Sequence, residues 1–147
     1  MPFFTDRMDL RKKFFNRFAL SLFTIFIINA LANFFFWYQS FPRFDQMMHF
    51  FGGVSGGLFV IWFLYKKYSV YRSERNFAKI VIINSLLFLV AATLWEIMEY
   101  SVQDLFDIGN VLADKYDSIN DLILGLLGNF IALIYYFSKK QNQDVRN

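Results

Sequence analysis

The sequence has no cysteine and only one histidine, and these two scarcities remove several chemistries at once. Without cysteine there are no disulfides and no thiolate metal sites, and cysteine usage says nothing about redox compartment. One histidine cannot make the histidine pair of a zinc protease, and there is neither a phosphate-cradling glycine loop nor a Ser-His-Asp order with a usable nucleophile.

A basic stripe is also missing. The net charge is +3, but the positive residues fall in three separate clusters: Arg7, Arg11, Lys12, Lys13 and Arg17; Lys66, Lys67, Arg72, Arg75 and Lys79; and Lys139, Lys140 and Arg146. A nucleic-acid surface needs its charge gathered on one face, so no nucleic-acid partner is expected. Clusters that alternate with apolar runs are instead the mark of cytoplasmic loops.

What the chain has in excess is apolar and aromatic surface. Hydrophobic residues make up 56% of it and 21 are Phe. A single soluble domain of 147 residues could not bury so many large rings without leaving an adhesive surface, whereas lipid accommodates them.

Spanning roughly 30 Å of hydrocarbon takes about 20 helical residues. Four stretches meet that demand, near Phe18–Tyr38, Gln46–Tyr65, Phe77–Tyr100 and Ile119–Phe137. The expected fold is therefore an all-α membrane protein with four transmembrane helices, one membrane domain over residues 1–147. Placing the basic clusters inside puts both termini in the cytoplasm and leaves Arg43 and Lys115 as the basic residues outside. Trp37, Tyr38, Tyr100 and Tyr116 then fall in the outer aromatic belt. Residues 1–17 read as a basic interfacial segment. The first span resembles a signal peptide with Ala30-Leu31-Ala32 as its cleavage site, but its apolar run continues through Phe34–Trp37, which argues against cleavage. The 101–116 connection interleaves Asp104, Asp107 and Asp114 with apolar residues and reads as an outer cap, with a loosely ordered acidic loop as the alternative.

One offset pairs Asp45 with Asp117, His49 with Asp121, Gly53 with Gly125 and Gly56 with Gly128. This suggests two helical hairpins in a parallel pseudo-repeat, the second and fourth helices side by side. Glycine-mediated packing without a repeat explains the small residues equally well: Gly52, Gly53, Gly56 and Gly57 form two overlapping small-x-x-x-small pairs. Asn29, Asn33, Asn84, Ser85 and Asn129 lie inside the spans and read as interhelical hydrogen-bond glue.

Eight of the 12 acidic residues, Asp45, Glu96, Glu99, Asp104, Asp107, Asp114, Asp117 and Asp121, fall on the outer side. His49, Glu96, Glu99, Asp117 and Asp121 come from three helix ends at one depth, with Asp45 one turn nearer water, at the rim. Ionised groups at that depth need water, shared protons or a bound cation. Taken singly, each carboxylate could equally snorkel to water, and Asp117 could serve as an N-cap. Together, all five are candidate metal ligands, and Glu96, Glu99 and Asp121 are candidate catalytic groups. One imidazole among carboxylates favours a divalent cation such as Mn, Mg, Ca or Zn.

The motifs Phe44-Asp45-Gln46-Met47-Met48-His49-Phe50-Phe51-Gly52-Gly53, Trp95-Glu96-Ile97-Met98-Glu99-Tyr100 and Tyr116-Asp117-Ser118-Ile119-Asn120-Asp121, the last followed by Gly125 and Gly128, occur in this order. They resemble those of the YjdF-like bacterial inner-membrane proteins and, more distantly, of VanZ-like proteins, over roughly residues 40–135. Gly125 stands near where the resembling proteins tend to carry Asn. The VanZ-like group is linked to glycopeptide resistance, so the resemblance implies a place in the cell envelope, in the bacterial plasma membrane.

The expectation is an envelope protein whose outward-facing pocket binds a cation or a polar lipid head group and acts as a metal-dependent hydrolase or transferase on a lipid-linked substrate. The competing reading is a non-enzymatic transport, resistance or accessory protein with a membrane-protein partner. A transporter needs polar residues across the full thickness, and the inner half offers only neutral Asn and Ser.

Overall fold

The computed structural model describes the backbone of residues 2–67, 76–106 and 115–144, and side chains of residues 12–64, 76–101 and 118–139. Helix is the only regular structure among the described residues: α1 (Pro2–Phe34), the short α2 (Trp37–Ser40), α3 (Phe44–Lys67), α4 (Phe77–Phe106) and α5 (Lys115–Asp144). Four stretches are long and apolar enough to cross a membrane: Lys12–Phe34, Phe44–Leu64, Phe77–Ser101 and Ser118–Lys139. The all-α, four-span architecture is thus the one observed.

Burial differs sharply among the spans and decides which helices form the centre. In α3 and α5, 39% of the apolar window is buried, against 6% in α1 and 17% in α4. The central pair is therefore α3 and α5, with α1 packed on α3 and α4 laid over the seam between α3 and α5. Exposed large side chains such as Phe23, Phe26, Leu86, Leu94 and Ile134 cover the outside of the bundle, where lipid is the solvent that tolerates them.

Contact order along the helices sets their directions. Ser21 Oγ donates to Ser55 Oγ at 3.0 Å, Phe18 meets Phe59 and Phe15 meets Trp62, so α1 runs antiparallel to α3. A Cβ on Gly53 would strike the Gly125 carbonyl and one on Gly57 would meet Asn129 and Ala132, so α3 and α5 run parallel. At the far end of the bundle, Phe14 is buried against Tyr135 and Tyr136. The beginning and the end of the helical chain therefore share one side of the bundle.

The pairing of the central helices is backbone to backbone. Besides the Gly53–Gly125 contact, a Cβ on Gly128 would strike the Phe50 carbonyl and come within 2.8 Å of the Val54 nitrogen. Without a hydrophobic driving force between helices in lipid, such close approach, with its dispersion contacts, is what holds a pair together. The other two glycines of the run do different work. Gly56 faces the ring of Phe88 from α4 rather than α5, and a Cβ on Gly52 would meet no neighbouring element within 4 Å.

The first span is shorter at its C-terminal end than hydropathy suggested. Phe36 adopts a left-handed conformation, φ 58°, and the chain folds back through α2. Tyr38 Oη donates to Asn29 Oδ1 at 2.7 Å, while the rings of Trp37 and Tyr38 cover Phe44 edge to face. Phe35 and Phe36, where the helix breaks, are as apolar as the helix before them, so composition does not mark the break. At the other end α1 is unbroken from Pro2, with no turn between the basic segment and the span. Of the expected cap, residues 107–114 lie outside the described residues.

Candidate functional site

At the α2 end of the bundle, three helices deliver polar side chains to one place. His49 lies one turn into α3, Asp121 in the second turn of α5, and Glu96 and Glu99 about two to three turns before the end of α4. The α4 stripe Ile80, Asn84, Phe88, Ala92 and Glu96 recurs every four residues, an inclined ridge in which each side chain neighbours the next. Because Phe88 lies against Gly56 and Gly125, that stripe faces the α3–α5 seam, and Glu96 arrives beside His49.

The imidazole is the hub. Its Nε2 is 3.7 Å from Asp45 Oδ2 and 3.7 Å from Asp121 Oδ2. Its Nδ1 is 3.6 Å from Glu96 Oε1. All three separations exceed the 2.7–3.2 Å of a direct N–H···O hydrogen bond. Ligand atoms of Asp45, His49 and Asp121, and likewise of His49, Glu96 and Glu99, lie within 4.8 Å of one another. Two ligands about 2.1 Å from a tetrahedral ion are themselves roughly 3.4 Å apart. The separations of the imidazole nitrogens from the carboxylates, 3.6–3.7 Å, are near that value.

Burial grades across the cluster. The Asp121 side chain is 5% exposed, His49 14% and Glu96 17%, while Asp45 is 41% exposed. Asp45 thus stands at the rim, a turn nearer to water than His49. Asp117 is in the first turn of α5, but its side chain is outside those described.

Two neighbours were not among the expected site residues. Trp95 Nε1 donates to Glu99 Oε2 at 3.1 Å, fixing that carboxylate from its own helix. Tyr38 reaches the site's edge from α2; burial first, and then the charges of Asp45 and Glu99, hold its phenol above the ordinary range and keep it neutral. Trp95 could have been suspected from the i, i+4 relation to Glu99. Tyr38 could not, because its position depends on the fold-back at Phe36.

The asparagines read as interhelical glue divide. Asn129 Nδ2 donates to Ser85 Oγ across α5 and α4 at 3.4 Å. Asn33 bonds within its own helix, to Asn29. Neither amide atom of Asn84 has a hydrogen-bond partner among the described residues.

Among known proteins, residues 7–142 match the family model described as "Predicted membrane protein (DUF2238)". No curated protein and no solved structure is similar to the chain.

Proposed function

We propose a function for a chain that belongs to the DUF2238 family of predicted membrane proteins, the family of the YjdF-like proteins: it binds a divalent cation at the His49 site, facing the outside of a bacterial plasma membrane, and acts there on a polar lipid head group or lipid-linked substrate. The observation that carries this reading is the imidazole flanked on both nitrogens by carboxylates at 3.6–3.7 Å. Asp45, His49 Nε2 and Asp121 would hold the ion, which when bound would supply Lewis-acid activation of water or substrate, as ions held by three protein ligands do. Glu96, 3.6 Å from Nδ1, would be the orienting carboxylate that metal-bound histidines usually have. Glu99, held by Trp95 and grouped with His49 and Glu96, would be the carboxylate available as a general base. Of the two resemblances read from the motifs, the family match supports the YjdF-like one and not the VanZ-like one, so the envelope role proposed here rests on the membrane spans and the charge pattern.

Two experiments test this. With the protein stripped by chelator in detergent, adding Mn, Mg, Ca or Zn should raise its unfolding temperature, and the same ion should promote release of head-group phosphate from vesicles of bacterial lipid. Failure of every ion to do either removes the proposal.

Orientation is tested separately. Both termini are assigned to the cytoplasm because all three basic clusters would then lie inside. In a chain with no native cysteine, Ser73→Cys and Asn142→Cys should react only with permeant thiol reagents, and Asn110→Cys with impermeant ones too. The reverse pattern overturns the orientation.

A further inference from the structure

A second polar layer lies deeper along the same helix faces. Asn84, on the α4 stripe that meets the α3–α5 seam, is 0% exposed, and it lies about 18 Å along the axis from Glu96. Asn129, also 0% exposed, lies two turns beyond Asp121 on α5. Its Oδ1 sits over Gly57, 2.7 Å from where a Cβ would stand, and its Nδ2 makes the long bond to Ser85, the neighbour of Asn84.

Three buried atoms of this layer have no hydrogen-bond partner among the described residues: Asn84 Nδ2, Asn84 Oδ1 and Asn129 Oδ1. Lipid offers none, and interiors rarely leave such atoms unmet. The chemistry of the set selects what meets them. It contains a donor as well as two acceptors. A cation would satisfy the oxygens and be repelled by the amide hydrogens, and an anion would do the reverse. Water accepts from Nδ2 and donates to both oxygens.

Among the described residues, the ring of Phe88 stands between this layer and the His49 cluster. Phe88 lies one turn from Asn84 towards Glu96, and its edge fills the space that Gly56 and Gly125 leave, 2.9 and 3.1 Å from where their Cβ atoms would be. On the opposite side Ile61, Leu64, Ile80 and Leu133 are buried in the apolar core.

We propose that Asn84 and Asn129 bind an internal water molecule between α4 and α5 near the middle of the spans, and that Phe88 is the seal separating it from the His49 site. The polar path thus has two stations, an open charged one and an occluded neutral one. This holds whether or not a metal occupies the first.

The test is nuclear magnetic resonance on the 15N-labelled native protein in detergent, with water as the probe. The side-chain amide protons of Asn84 and Asn129 should show cross-peaks to water. In Phe88→Ala those protons should exchange with D2O at least tenfold faster, with the helix content unchanged. Asn84→Leu should lose the Asn129 cross-peak and lower Tm by roughly 2–4 °C. Missing cross-peaks in the native protein, or a raised Tm in Asn84→Leu, overturns the bound water. Equal exchange rates in native protein and Phe88→Ala overturn the seal. If Asn84→Leu does not fold, the native cross-peaks decide the first question on their own.

Discussion

Gly53→Ala is expected to break the bundle, while Gly52→Ala, one residue away, is expected to strengthen it. The new methyl at position 53 would have to occupy the place of the Gly125 carbonyl. Backbone cannot step aside as a flexible side chain can, so α3 and α5 must separate along their shared face. Ordinary overpacking costs about 1–3 kcal/mol; forcing apart the central pair exceeds that and should lower Tm by roughly 10 °C or more. It should also move His49 away from Asp121, now 3.7 Å apart. At position 52 a methyl meets no neighbouring element within 4 Å, and removing a helical glycine gains about 0.5–1 kcal/mol. Thermal unfolding of the two variants in the same detergent checks the contrast. Equal behaviour would mean that the α3–α5 crossing is not where the structure places it.

That pair of glycines also shows what was legible beforehand. The small-residue run announced close helix packing, and the offset that paired Gly53 with Gly125 and His49 with Asp121 named partners that do meet. The run could not say which glycine served which neighbour. Successive helical residues point about 100° apart, so Gly52 and Gly53 cannot both face α5, and nothing local distinguishes them. Gly56 was equally opaque, because its partner is a ring from α4.

The four spans were legible from hydropathy because each apolar run exceeds the thickness of a bilayer and is bounded by charge. The end of the first was not, since Phe34, Phe35 and Phe36 are apolar on both sides of the turn. A left-handed phenylalanine carries no compositional signal. From that missed turn follows the missed role of Tyr38, whose hydroxyl ties α2 to Asn29. The depth shared by His49, Glu96, Glu99 and Asp121 was readable by counting helical turns, whereas the distances between them depend on the crossing of α3 and α5, which glycine contacts set. Asn84 illustrates the limit most sharply. Among five intramembrane amides and hydroxyls of similar type, only the packing of α4 over the seam reveals which one has no bonding partner among the described residues.

The assignment of the ion to Asp45, His49 and Asp121 predicts an ordered set of responses to metal. A site filled at a hundred times its Kd adds about 2.7 kcal/mol, which for a chain of this size is a rise in Tm of roughly 5–10 °C. Asp45→Asn with Asp121→Asn leaves the imidazole and two neutral amide oxygens in place of two anionic ligands, and the rise should disappear. In chelator the same double variant should be at least as stable as the native protein, because two carboxylates are gone from a crowded site and like charges there are costly. Glu96→Gln should behave differently. It removes a carboxylate that orients the ring without touching the ion, so the full rise should persist but require roughly ten- to a hundredfold more metal. Thermal unfolding across a metal titration separates the cases. Loss of the rise in Glu96→Gln together with its survival in the double aspartate variant would move the ion to the His49, Glu96 and Glu99 set, and equal rises in all three proteins would remove it from this end of the bundle altogether.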